Sequence, residues 1–380
     1  MVSIVSCKSY DPAACRAALT EALAPLGGLD FVTPGMTVGL KSNLVSFMKP
    51  EAAATTHPAL LCAMTELLTE RGAKVIVGDS PGGLFNAAYV KNVYRATGMY
   101  EVERVGAALN MNFEQKAGAF PEAAVAKTFQ YTSWLDDCDV LIDFCKLKSH
   151  GMMGMSAAAK NMFGAIPGTM KPEYHYRFPD PRDFARMIVD LDEYFRPALS
   201  IVDGVIGMDG NGPTAGKPKP MGLVMASPSP HEADLACARI IGLRRQDVPT
   251  LEAAYERGLI PGDVSELEIS GDLDSFLVPD FDRIVTKNDL LFRNELPGAA
   301  GKALGAFIRR CVSSEPRPKR AECVGCGKCG QICPASAITM KNGLPKIDRG
   351  KCIHCFCCQE FCPKGAMKVE RPFVARLLNR

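Results

Sequence analysis

The run CVGCGKCGQICP begins at Cys323 and the run CIHCFCCQEFCP at Cys352. Both read Cys-x2-Cys-x2-Cys-x3-Cys-Pro. No other feature limits the folding of this chain as much, because thiols repeated at one spacing ask for something to hold. Nine of the sixteen cysteines lie between Cys323 and Cys362. The other seven (Cys7, Cys15, Cys62, Cys138, Cys145, Cys237, Cys311) are scattered, several in apolar runs such as VLIDFC. That distribution argues against a secreted disulfide scaffold and for buried thiols in a reducing, cytoplasmic setting. Zinc is the competing ligand, but zinc pairs CxxC units across long spacers and does not favour this run twice.

Upstream, strand and helix signals alternate. DPAACRAALTEALAPL opens with Asp11 as a cap and Pro12 in the first turn. HPALLCAMTELLTERGA is an amphipathic helix begun at Pro58 and stopped at Gly72. DPRDFARMIVDLDEYF has Asp180 as cap, then Pro181 and Asp183, and SPHEADLACARIIG carries a Ser229…Glu232 capping box. MTVGLKSNLV, KVIVGDSPGG, CDVLIDFCKLKSH, ALSIVDGVIGMDG and MGLVMAS read as strands. Strand–helix–strand order predicts parallel pairing. The expected fold class is α/β, a largely parallel central sheet flanked by helices, over residues 1–310. CVSSEPRPKRAE reads as a linker (311–321), and RPFVARLLNR as a basic tail (371–380).

The formal charge of +2 gives no broad attraction to nucleic acid, and no basic stripe with interleaved aromatics is visible. No run is apolar for the ~18 residues of a membrane span, and MVSIVSCKSYDPAAC is not a signal-peptide pattern.

The duplicated cysteine spacing resembles the two-cluster bacterial ferredoxin domain, across Cys323–Val369. In that pattern the fourth cysteine of each run crosses to the other cluster. The resemblance therefore implies Cys323, Cys326, Cys329 and Cys362 for one [4Fe-4S] cluster. It implies Cys352, Cys355, Cys358 and Cys333 for a second. ASAITM and KGAMKV each read as a turn running into a strand, with GLPKID the matching hairpin strand. The expected unit is a small α+β ferredoxin-like domain over 322–370. Cys357 has no ligand slot and reads as a spare thiol, and His354 as solvated. Such a unit implies an external low-potential electron donor of ferredoxin or flavodoxin type. A flavin has no universal motif, and none is indicated here.

In open α/β sheets, sites form beyond the carboxyl ends of strands. Lys41 and Asn43 follow VGL. Asp79 and Ser80 follow KVIVG. Lys146, Lys148 and His150 follow VLIDF. AAAKNMFGAIPG adds Lys160 and Asn161, with Lys171 and His175 beyond. Taken singly, Lys41 and Lys146 read equally well as strand-end charges reaching water, and Asp79 as a turn cap. GDSPGG and GMDGNG are not phosphate-loop patterns. Taken together, the lysines and histidines crowd one sheet edge. Their pooled charge asks for an anion, and crowding lowers a lysine's pKa. Lys148, His150, Lys160 and His175 are the expected catalytic groups. Lys41, Asn43, Asp79, Ser80, Lys146 and Asn161 are the expected substrate-binding groups.

The strings VGLKSNLV, TTHP, VGDSPGG, KLKSH, KNMFGAIPG and GMDGNGPTAG, in that order, resemble domain-of-unknown-function family 362 over most of residues 1–290. The resemblance implies a shared fold and site, and its members with an appended ferredoxin are familiar in anaerobes. It names no substrate. Two functions follow as expectations. The first is an iron-sulfur oxidoreductase that relays electrons to a small anionic, carbonyl or phenolic substrate. The second is a non-catalytic electron-transfer or maturation partner of another redox enzyme.

Overall fold

β-branched apolar runs bounded by glycine and proline set the strand positions. The structure, a computed structural model, describes residues 1–284 and 314–370. The strands in chain order are β1 (Val2–Ser6), β2 (Thr37–Lys41), β3 (Lys74–Gly78), β4 (Ala108–Leu109), β5 (Gln115–Ala119), β6 (Thr128–Thr132), β7 (Val140–His150), β8 (Gly154–Ser156), β9 (Leu199–Asp209), β10 (Lys217–Ser227) and β11 (Ile269–Ser270). The helices are α1 (Pro12–Leu23), α2 (Pro58–Glu70), α3 (Ala87–Thr97), α4 (Ala158–Asn161), α5 (Lys171–Arg177), α6 (Pro181–Phe195), α7 (Pro230–Ile240) and α8 (Pro249–Glu256).

One nine-stranded sheet dominates, in the order β11-β1-β10-β9-β7-β2-β3-β4, with β8 paired to β7. β9, β7, β2, β3 and β4 run parallel, as the alternating pattern predicts. β10 lies antiparallel between β9 and β1. β1 and the β5–β6 hairpin are strands the sequence reading passed over. α1 and α2 pack together on one face, while α4, α6, α7 and α8 pack with one another on the other. β7 is the central strand and is buried almost throughout. Parallel strands covered on both faces are apolar all along, so the charges in VLIDFCKLKSH stand out.

The helix caps follow the sequence closely. Asp11 accepts from the Ala13 and Ala14 amides, and Asp180 from that of Arg182. The capping box at α7 is only half made. Ser229 accepts from the Glu232 amide, but the Glu232 carboxylate pairs with the Met1 amine at 2.9 Å. Among the described residues no helix is long and apolar enough to cross a membrane.

The cysteine-rich segment is a second, small α+β unit. β12 (Glu315–Pro318), β13 (Ile338–Lys341), β14 (Leu344–Ile347) and β15 (Met367–Glu370) flank two single-turn helices, α9 (Lys328–Gln331) and α10 (Cys357–Glu360). β13 and β14 form the expected hairpin. The segment 311–321, read as a linker, needs correction. Its residues 315–318 are the strand that pairs with β15. Pro316 and Pro318 disguise it, yet a two-stranded edge tolerates proline because one side of the strand needs no donor. The basic tail 371–380 and Cys311 lie outside the described residues.

Candidate active site

The carboxyl ends of β2, β3 and β7 bring their polar residues to one sheet edge. Lys41 is buried, not solvated. Its Nζ sits 2.7 Å from Asp79 Oδ1 and donates to the Ser42 carbonyl. The Asp79 Oδ2 accepts from the Leu44 amide at 2.8 Å. Lys146 is likewise buried, 2.7 Å from Asp203 and 2.8 Å from the Tyr10 hydroxyl. Both lysines are thus neutralised in place, and breaking either pair would leave an uncompensated buried charge. Gly164 backs onto the Lys41–Asp79 pair, where an added methyl would collide with both charged groups. Gly164→Ala is expected to cost about 3 kcal/mol in a urea titration. An unchanged midpoint would show that the pair has room to shift.

Lys148 is held differently. Its Nζ donates to Asn43 Oδ1 and, at 2.7 Å, to the Ala54 carbonyl, so among the described residues both its acceptors are neutral. The side-chain amides are oriented by a chain of bonds. Asn161 Nδ2 donates to Asp143 Oδ1 (2.6 Å), and Asn161 Oδ1 accepts from Asn43 Nδ2 (2.8 Å) and Lys41 Nζ (3.3 Å). That leaves Asn43 Oδ1 facing Lys148. Burial, then the charges of Lys160 and Lys146, push Lys148 down to about 7. Burial pushes Asp143 up to about 8, and its Oδ2 has no hydrogen-bond partner among the described residues. Asp143 was missed by the sequence reading. The signal was present as a carboxylate inside the apolar run VLIDFC.

A cavity of about 60 Å³ opens here, lined by Asn43, Asp79, Lys148, His150, Lys160 and Lys171 among others. On this measure one water takes about 10–15 Å³, so the space suits a small molecule. Two further lining residues, Glu360 and Phe361, come from the cysteine-rich unit. The sequence reading missed both, although a glutamate between Cys358 and Cys362 was visible in CCQEFC.

His150 Nδ1 accepts from the Met152 and Met153 amides, so the neutral ring carries its proton on Nε2. That nitrogen lies 2.9 Å from Glu360 Oε1, a contact of a neutral ring with a carboxylate. Burial, then Lys160, hold His150 down to about 4. His175 lies behind the cavity, stacked on Phe184 with centroids 4.2 Å apart, and burial pushes it down to about 3. Ser80 also stands back: its hydroxyl accepts from the Gly168 amide and its carbonyl from Lys171.

The small unit is fastened by the glycine-rich loop after β9. Gln359 Nε2 donates to the Asn211 carbonyl at 2.8 Å and the Gly212 carbonyl at 3.2 Å. The Val369 amide donates to Asn211 Oδ1. At Gly82 a methyl would stand 3.0 Å from the Phe361 ring.

The cysteines fall into two groups. Cys323, Cys326, Cys329 and Cys362 line one small cavity of about 30 Å³. Cys326 is exposed there. Cys352, Cys355, Cys333 and Cys358 lie within each other's electrostatic reach, and Cys355 and Cys358 are buried. Among the described residues no three His, Cys, Asp or Glu side chains converge on a single ion. Four thiols around a shared space fit a cluster better than zinc. Cys357 is fully buried beside Cys355, and His354 is half-buried, where it had been read as solvated.

The family described as "Domain of unknown function (DUF362)" matches residues 38–239, and the "4Fe-4S dicluster domain" matches 322–366. The "Thylakoid-associated protein sll1697" of Synechocystis sp. is 34% identical over 267 residues, covering 68% of this chain and 80% of that protein. Among solved structures, the lactate racemase apoprotein of Thermoanaerobacterium thermosaccharolyticum aligns with a TM-score of 0.36 at 13% identity. A Thermotoga maritima protein aligns at 0.35 and 14%. The alignments cover 55% and 56% of this chain and span about half of those chains, 51% and 55%, and scores this low do not establish a common fold. The two family matches and the 34% identical relative show that the chain belongs to the DUF362 family and carries a 4Fe-4S dicluster domain.

Proposed function

We propose that this protein is an iron-sulfur oxidoreductase with two [4Fe-4S] clusters, reducing a small anionic or carbonyl-bearing substrate in the lysine-lined cavity. One observation carries the reading: Glu360 and Phe361, between the ligand candidates Cys358 and Cys362, line the same cavity as Lys148, Lys160 and Lys171. When bound, the clusters supply low-potential electrons. The chain's own residues do the rest. The lysines attract negative charge, and Lys148, buried in the cavity wall, offers a proton near neutral pH. Neutral His150 fixes the Glu360 side of the cavity.

The Cys323 group is the outer one. Val324 beside it is 62% exposed and Met340 is 38% exposed. Lys328 and Lys364 line the same surface cavity. An acidic carrier of ferredoxin or flavodoxin type suits that basic, partly apolar rim. In the Cys352 group Cys355 and Cys358 are buried, and Cys355 packs with Phe361, which lines the lysine cavity.

The test is anaerobic. The purified protein should carry about eight irons. After chemical reduction, absorbance and EPR should show re-oxidation by one class within a panel of enoyl, carbonyl and phenolic compounds. Full iron with no re-oxidation by any compound would favour the electron-transfer or maturation partner instead.

A further inference from the structure

Lys160 and Lys171, both half-buried, are placed unlike the three fully buried lysines. Lys41 and Lys146 each have a carboxylate at 2.7 Å. Lys148 has two neutral acceptors. Among the described residues Lys160 Nζ has no hydrogen-bond or ion-pair partner, and its contact is the Phe163 ring, 5.3 Å to the centroid. Lys171 Nζ reaches the same ring at 5.7 Å and donates only to the Ser80 carbonyl. Two ammonium groups thus share one aromatic ring at the cavity wall.

The two carboxylates that line the cavity relieve this crowding only in part, through the pull of Glu360 on Lys160. Asp79 is taken by Lys41 and the Leu44 amide, and Glu360 faces His150. Three lining lysines against two lining carboxylates, one of them already neutralised by Lys41, leave the cavity two positive charges in excess when all are protonated.

We propose that Lys160 and Lys171 form the carboxylate clamp of the substrate site, over the Phe163 ring, and that the substrate is a short-chain carboxylate. A carboxylate has two oxygens for two ammonium donors, whereas a phenolate has one. A tetrahedral phosphate would leave oxygens unserved, since Lys148 is already engaged at its two acceptors. The cavity of about 60 Å³ admits only a short chain beyond the carboxylate. With the carboxylate held there, the rest of the molecule extends toward Lys148 and Phe361. The identity of the substrate rests on the oxidoreductase reading above, but the clamp itself is a binding site and is tested without turnover.

Propionate is the probe, titrated calorimetrically into the oxidised protein under anaerobic conditions. Propionate should bind, and Lys160→Gln and Lys171→Gln should each weaken it at least tenfold while iron content stays unchanged. Affinity should also fall as pH rises past about 8, because burial holds Lys171 down to about 8 and its charge is lost above that value. A second measurement needs no variant. Propionate should protect Lys160 and Lys171 of the unaltered protein from acylation by an amine-directed reagent, read by peptide mass spectrometry. Absence of propionate binding, tighter binding of phenol or inorganic phosphate, or protection of other lysines only would each overturn the clamp. Re-oxidation that fails while propionate binds would sink the oxidoreductase reading and leave the clamp standing. Re-oxidation that succeeds with a non-carboxylate would do the reverse.

Discussion

Cys358→Ala is expected to leave about four irons of about eight and to lower turnover more than 100-fold. Cys358 is buried, with Cys333, Cys352 and Cys355 of its own group in electrostatic reach and Cys329 and Cys362 of the other group packed nearby. The outer four, Cys323, Cys326, Cys329 and Cys362, are untouched by the change. A chemical reductant should therefore still bleach the outer cluster, with no re-oxidation by substrate. Propionate binding should persist, because neither lysine of the clamp is altered. Turnover within tenfold of the unaltered protein would mean that electrons reach the cavity without the inner cluster, and the proposed direction of flow would fall.

Lys148→Met is expected to slow turnover by about 10²- to 10⁴-fold with iron content intact, the range for loss of a positioned acid. The pH profile makes the prediction specific. Lys148 is held down to about 7 by burial first and by Lys160 and Lys146 next. As the proton donor it is charged below that value and neutral above it. The rate should therefore fall about tenfold per pH unit above pH 7 in the unaltered protein, and the remnant activity of the methionine variant should lack that limb. The stability sign runs the other way. Between about 7 and the usual lysine value of 10.5 the unfolded chain holds a proton the folded chain does not. Stability from this group rises with pH through that window, and the methionine variant should lose that share of the slope. A profile unchanged by the substitution would remove Lys148 from the acid role.

Much of this was legible before any coordinates. The parallel sheet edge follows from strand and helix alternation. The cysteine groups follow from spacing, which is local and strict. The sheet-edge position of Lys41, Asn43 and Asp79, at the ends of β2 and β3, and of Lys146, Lys148 and His150, on the last half of β7, follows from the strand pattern. Their partners were not legible. Nothing local distinguishes Lys146, spent on Asp203, from Lys148, held by two neutral acceptors two residues further along the same strand. Asp203 and Asn43 come from remote parts of the chain. His175 is the converse case. It looked chemical in sequence and is stacked against a phenylalanine. The glycine-rich loop at 210–216 carries no phosphate-loop pattern, and nothing in it announced that its Asn211 and Gly212 carbonyls receive Gln359.

The wall formed by Glu360 and Phe361 bears on how the protein matures. α10 is a single turn, and a turn that short does not sustain itself. It is kept in place by the cysteines around it and by the loop at Asn211. A newly made chain starved of iron would have its lysines assembled at the sheet edge but no fixed lid over them. On the oxidoreductase reading, iron loading would then complete the pocket wall and equip it with electrons in a single step of biosynthesis.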